Sequence, residues 1–137
     1  MLILVFGKIF IQVCNKVQYL EPVLFKIFLN DIFNFVEESI LYNYADNNTL
    51  SYSETELNKV VDVLEKDSLN LIRWLSHNQM KANPDKFQAI AIGSKISNES
   101  ISFNLDENTI DCEKEVKLLG VTIDCQLKFN SHISNIC

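Results

Sequence analysis

The sequence predicts an α+β fold in which helices pack on one face of an antiparallel sheet. Two helical patterns of apolar residues enclose an expected strand pair, and three or four strand-like segments follow them. Composition agrees, because 137 residues that are 47% hydrophobic and 22% charged suit one globular domain. The sequence contains no repeat or linker that would divide residues 1–137 into two domains.

The amino-terminal run, residues 1–14, is strongly apolar and is interrupted by Gly7, Lys8 and Gln12. A signal peptide would open with a basic segment, which this run lacks. The run is also too short to span a bilayer as a helix. We therefore interpret it as a buried strand or a helix fragment, and we expect no membrane association.

Two helices are expected before and after the strand pair. The first covers residues 23–40, where apolar residues recur at steps of three and four, and Pro22 before it suits a first helical turn. The second covers about residues 55–77, with a longer amphipathic stripe. Ser53 followed three residues later by Glu56 has the pattern of a capping box at its start.

The strand pair between the helices reads as a β-hairpin with strands at residues 41–45 and 49–52, both rich in residues common in strands. Asp46, Asn47 and Asn48 lie between them and are residue types that accept turn conformations. An acidic turn is therefore expected at the tip of a rigid hairpin. A metal site needs a carboxylate that is aimed in this way.

The residues after the long helix are predicted to form strands. Residues 83–84, Asn-Pro, should end the long helix, and residues 87–92 then alternate as a strand does. Residues 101–105 and 109–112 flank a polar segment and predict a second hairpin. Residues 116–123 predict one further strand.

Four cysteines are widely spaced, with neither a CxxC pair nor a histidine at metal-ligand spacing: Cys14, Cys112, Cys125 and Cys137. We interpret them as reduced thiols, with a zinc site or disulfides as the alternative. Reduced thiols indicate an intracellular protein, nuclear or cytoplasmic.

The tetrapeptide Tyr44-Ala45-Asp46-Asn47 resembles the YADD box of reverse transcriptases, especially those of non-LTR retrotransposons, with asparagine in place of the second aspartate. Three more blocks resemble the family in the same order. They are LEPVLFKIFLNDI from Leu20, the segment around NPDK from Asn83, and VKLLGV from Val116. The resemblance through these four blocks extends over roughly four fifths of the chain, whereas a single short motif would be weak evidence.

The resemblance implies the second half of a polymerase palm, with the start of the fingers, the first catalytic strand and the thumb missing. The family synthesises DNA on a template with two Mg²⁺ ions held by carboxylates. Asp46 matches one metal ligand, Asn47 is a degenerate second aspartate, and no acidic residue precedes Glu21. We therefore expect a catalytically inactive fragment that binds Mg²⁺ weakly or not at all.

The resemblance also implies roles for other residues, each with a plainer alternative. Tyr44 and Ala45 would contact the nucleotide, but Tyr44 equally suits packing on the sheet. Lys86 matches a lysine that protonates the leaving pyrophosphate, although a solvated lysine is the commoner case. Leu119 and Gly120 would shape a primer grip, or form a core strand with a glycine bulge. Asp46 itself is also a good turn former.

Charge and topology limit the partners. An RNA template and a DNA primer are implied by the family, but a net charge of −6 disfavours phosphate binding by the isolated chain. The alternative function is a non-catalytic interaction module, whose exposed sheet edge binds a protein partner or a second copy. A third possibility is a decayed retroelement reading frame without function.

Overall fold

The computed structural model describes residues 2–6, 23, 27–44, 47–93 and 101–136. The strands are β1 (Leu2–Phe6), β2 (Ile40–Tyr44), β3 (Asn47–Tyr52), β4 (Gln88–Ala91), β5 (Ser102–Leu105), β6 (Asn108–Glu113), β7 (Glu115–Leu118) and β8 (Val121–Asp124). The helices are α1 (Leu57–His77) and α2 (Asn130–Ile136), with 3-10 turns at Leu29–Phe35 and Pro84–Lys86. The expected α+β fold is confirmed.

Six strands form one sheet in the order β2-β3-β1-β4-β6-β5, and β7 and β8 form a separate antiparallel pair. The sheet is mixed, because β4 and β6 run parallel while its other pairs are antiparallel. β1 lies inside the sheet between β3 and β4, and its sequence LILVF suits a central strand. The amino-terminal run is therefore a strand over residues 2–6, while Cys14 lies outside the described residues.

The core lies between α1 and the sheet. The α1 side chains that it buries include Leu64, Leu71, Trp74 and Leu75, and the strands add Leu50, Ala89, Phe103 and Leu105. The rings of Phe28 and Phe35 approach the Trp74 ring, with centroids 5.9 and 6.3 Å away. The long helix ends at His77 as expected. No helix in the described ranges is long and apolar enough to cross a bilayer.

The ends of α1 differ from the sequence expectation in how they are capped. The N-cap residue is Glu56, which makes no side-chain capping hydrogen bond, so the capping box from Ser53 is wrong. At the other end Gln79 has a φ of 58°. The Met80 N–H donates to the Leu75 carbonyl at 2.9 Å. This backbone reversal ends the helix before the Asn-Pro pair is reached.

The first helix is shorter than expected. Over residues 27–40 the chain forms a helical start and the 3-10 turn Leu29–Phe35, and it is already a strand at Ile40. The N–H groups of residues 37–39 donate to the Asp67 carboxylate instead of to carbonyls of a continuing helix. A carboxylate on a distant helix therefore overrides the local periodicity.

The expected single strand over residues 116–123 is a hairpin. β7 ends at Leu118 and β8 begins at Val121, with Leu119 at φ 49° and Gly120 at φ 86° between them. Positive φ at both positions is the geometry of the two-residue turns that suit twisted strands. An added Cβ at Gly120 would meet nothing within 4 Å, so glycine is favoured there by its backbone conformation.

Candidate functional site

The β2–β3 hairpin carries the candidate site at its tip. Its register pairs Tyr44 at the end of β2 with Asn47 at the start of β3. The expected turn is therefore too wide, because Asn47 and Asn48 belong to β3. Ala45 and Asp46, the expected nucleotide contact and metal ligand, lie outside the described residues.

An amide pair fixes the hairpin directly behind its tip. Asn43 and Asn48 face each other across the strands, and the Asn43 Nδ2 donates to the Asn48 Oδ1 at 2.6 Å. Asn48 is 2% exposed, so this hydrogen bond is shielded from water. The sequence indicated only a turn former at this position, because Asn-rich tripeptides are typical of turns.

The outer face of β2 is exposed. Ile40, Tyr42 and Tyr44 share one face of the strand and are 58%, 58% and 67% exposed. The prediction that Tyr44 packs on the sheet is therefore wrong. Its ring is exposed at the last residue of β2.

The sheet register brings Lys86 to the same end of the sheet as the hairpin tip. Phe6 at the end of β1 pairs with Asn48, and Gln88 at the start of β4 pairs with Val5. Lys86 is exposed in the 3-10 turn directly before β4. Since neighbouring strands lie about 4.8 Å apart, β4 runs about 10 Å from β3.

The expected primer-grip residues are not part of this sheet. Leu119 and Gly120 form the turn of the separate β7–β8 pair, whose contact with the main sheet is through β4. Leu119 is 55% exposed, so the alternative of a core strand is wrong, while the primer-grip role stays a prediction. The turn could present these residues to a ligand, but the described residues do not join it to the hairpin.

Few carboxylates are available for a metal at the tip. β1, the strand beside β3, consists of Leu, Ile, Leu, Val and Phe. Across the described part of the chain, no three His, Cys, Asp or Glu residues are grouped closely enough to hold a metal ion. Two Mg²⁺ ions need several carboxylate charges, and the residues described on β1 and at the ends of the hairpin strands supply none.

The described cysteines are also poor metal ligands. Cys112 and Cys125 are both unpaired and partly buried. Burial raises the pKa of the Cys112 thiol to about 11, and the nearby Asp111 carboxylate adds to the effect. The Cys112 thiol is therefore protonated at neutral pH, whereas metal binding requires the thiolate.

A buried carboxylate that the sequence analysis missed lies at the other end of β2. Asp67 on α1 is 1% exposed and accepts hydrogen bonds from the N–H groups of Glu37, Glu38 and Ser39. The Ser39 hydroxyl also donates to it, at 2.6 Å. Burial raises the pKa of Asp67, but the Ser39 hydroxyl and these N–H donors outweigh burial and lower the pKa below its usual value. Asp67 is thus held as a carboxylate.

A curated protein of Drosophila melanogaster, named "Probable RNA-directed DNA polymerase from transposon BS", is 26% identical to the chain over 122 residues. The match covers 83% of this chain and 14% of that protein, so the chain spans a small part of its relative. No protein-family model matches the chain, and no solved structure is significantly similar to it. The resemblance to reverse transcriptases is confirmed by this similarity.

Proposed function

We propose that the chain is a degenerate palm fragment of a non-LTR reverse transcriptase that does not synthesise DNA by itself. The similarity to a transposon RNA-directed DNA polymerase supports the ancestry. The sequence of β1 supports the proposed inactivity. This strand pairs with the hairpin strand β3, and its five apolar residues include no carboxylate that could bind a metal ion. Asn47 adds only a neutral amide oxygen.

The metal requirement explains why one aspartate is insufficient. Mg²⁺ gives up its water reluctantly and is held by carboxylate charge in nucleotidyl-transfer sites. At this tip Asp46 is the one acidic residue of the YADN box. We therefore propose weak binding of Mg²⁺ or none, and we assign Asp46, Asn47 and Lys86 no catalytic step in this chain.

The net negative charge of the isolated chain disfavours nucleic-acid binding. Its net charge is −6, while a template and primer would bring further negative charge. We propose that an RNA template or DNA primer is a partner of the ancestral enzyme, whose remaining parts would supply the basic surface. A nuclear or cytoplasmic location stays a prediction.

A primer-extension assay tests the proposed inactivity. The purified chain, given a primed RNA or DNA template with Mg²⁺ or Mn²⁺, is expected to add no nucleotides above the buffer background. An active reverse transcriptase under the same conditions is the positive control. Incorporation that disappears in the Asp46→Asn variant would overturn the proposal.

Restoring the second acidic residue should help metal binding without restoring synthesis. We expect Asn47→Asp to strengthen Mg²⁺ binding by about 1 kcal/mol, roughly fivefold, because a second charge is added a few ångström from Asp46. Titration calorimetry measures the affinity. Asn34→Asp adds the same charge at an exposed position of the 3-10 turn and is the matched control. Detectable primer extension by Asn47→Asp would show that the account of the missing carboxylate is wrong.

The alternative is a non-catalytic interaction module, and the exposed face of β2 is the observation that favours it. Its residues Ile40, Tyr42 and Tyr44 are apolar or aromatic and lie on a strand at the edge of the described sheet. Such an edge is a site at which a second chain can pair. Sedimentation that shows a stable monomer over a wide concentration range would count against self-association. A reading frame without function would be favoured if the chain did not fold cooperatively.

A further inference from the structure

We propose that Asp67 is a positioning residue for the β2–β3 hairpin. Its carboxylate, carried by α1, holds the backbone that enters β2 and so fixes where the hairpin tip lies. The hairpin is the candidate site of the proposed function, but the positioning role itself requires neither a metal ion nor a nucleic acid.

The contact between α1 and the start of β2 is made by four hydrogen bonds to one side chain. The N–H groups of Glu37, Glu38 and Ser39 donate to the Asp67 oxygens at 3.0, 3.2 and 2.8 Å. The Ser39 hydroxyl donates to Oδ2 at 2.6 Å. Three consecutive N–H groups that converge on an anion form a rigid concavity, so this backbone has little freedom while the carboxylate is present.

The carboxylate is itself held in place by the core. Its helical neighbours Leu64 and Leu71 are 0% and 2% exposed, and Ser68 beside it is 0% exposed. Side chains in a close-packed core occupy single rotamers, so α1 presents the Asp67 carboxylate as a fixed point. The hydrogen bonds therefore hold the backbone of residues 37–39 at a fixed position relative to α1.

Besides the Asp67 contact, β2 is attached through its pairing with β3 and through Leu41, which packs against the core. In the described sheet it lies at the end of the strand order, with β3 as its neighbour. Ser39 directly precedes Ile40, the first residue of β2, and Tyr44 at the other end directly precedes the loop. With a rise of about 3.3 Å per residue, the Asp67 contact lies about 17 Å from the tip along one strand. Movement at the start of β2 therefore reaches the tip.

The charge of Asp67 is needed, not only its shape. All four partners are donors, and a carboxylate offers acceptor oxygens at both of its ends. In Asp67→Asn one oxygen becomes an NH₂ group, which would face an N–H donor without an acceptor between them. A neutral side chain of the same size is therefore expected to release residues 37–39.

Amide hydrogen exchange followed by NMR tests the proposal on the full chain. In Asp67→Asn the β2 amides should exchange at least about tenfold faster, relative to the amides of β4, than they do in the unchanged protein. Loss of overall stability alone would not accelerate the β2 amides more than the β4 amides, because global unfolding exposes both strands. Asp62→Asn, which removes an exposed carboxylate from the same helix, is the matched control and should leave the ratio unchanged.

Equal acceleration in β2 and β4, or no acceleration of β2, would overturn the proposal. If Asp67→Asn does not fold, Ser39→Ala decides, because it removes only the hydroxyl donor and leaves the carboxylate and its three N–H partners. It should accelerate β2 exchange about threefold and leave β4 unchanged. The assay contains no divalent ion and no primer, so its result stands apart from any failure of the proposed polymerase ancestry.

Discussion

Replacing Phe103 by alanine is expected to lower the free energy of unfolding by about 4 kcal/mol, which is the range for deletion of a buried phenylalanine ring. Phe103 is 0% exposed and lies on β5, in the core that α1 covers. Its loss would leave a cavity that the close-packed neighbours fill only partly. Urea unfolding followed by circular dichroism measures the change.

The size of this effect follows from how β5 is attached. β5 is at the edge of the sheet, pairs with β6, and packs against α1. β5 also contributes Leu105 to the core, and its Asn104 N–H donates to the Glu65 Oε1 of α1 at 2.6 Å. A domain of ordinary stability has about 5–15 kcal/mol in total, so Phe103→Ala should remove between about a quarter and four fifths of it.

Ser102→Ala is the matched control for Phe103→Ala, because Ser102 is the exposed neighbour on the same strand. Its effect should stay within about 0.5 kcal/mol. A loss below about 1 kcal/mol in Phe103→Ala would show that the ring is not buried in a packed core. An equal loss in both variants would point to a general weakness of β5.

The sequence was sufficient for elements whose local pattern and tertiary environment agree. The long helix, the hairpin of β5 and β6, and the strand before Ile92 all follow from periodicity and turn residues. It failed where a distant group decides the local structure. Residues 37–39 have a helical pattern but leave the helix, because Asp67, far away in sequence, accepts hydrogen bonds from their N–H groups.

At the candidate site, the turn positions limited what could be predicted from the sequence. Asn47 and Asn48 look like turn residues, yet both lie in β3, and the buried Asn48 side chain accepts a hydrogen bond from Asn43. Leu119 at a positive φ could not be anticipated either, because leucine disfavours that conformation and only the following glycine hints at a turn. Motif resemblance located the tip of the hairpin, but it gave no signal for Asp67.

Asp67→Asn is expected to lower the free energy of unfolding at neutral pH by about 2 to 3 kcal/mol. The reason is that hydrogen bonds to a buried carboxylate are worth more than those to a neutral amide, and the variant leaves buried donors unpaired. Asp62→Asn changes an exposed carboxylate of α1 and should cost less than about 0.5 kcal/mol. Urea unfolding of the two variants and the unchanged protein measures the difference.

The same variant predicts how stability depends on pH. The pKa of Asp67 in the folded chain is lowered, although burial alone would raise it. An unfolded aspartate has a pKa of about 3.9, so the unfolded chain binds this proton first as the pH falls. The contribution of Asp67 is therefore fully present above that value and is lost as the pH falls through the folded pKa. The stability difference between the unchanged protein and Asp67→Asn should shrink below about pH 4.

Other charges near Asp67 do not obscure this dependence. The Lys66 Nζ lies 2.6 Å from the Glu37 Oε2, and Glu38 and Asp67 also act on the Lys66 charge. The Glu37–Lys66 pair is exposed to water, so it contributes little to the stability of either protein. A difference that stays constant from neutral pH to about pH 3 would mean that folding does not lower the pKa of Asp67. A difference that grows as the pH falls would mean that Asp67 is protonated in the folded chain, although a neutral acid cannot accept from four donors as a carboxylate does.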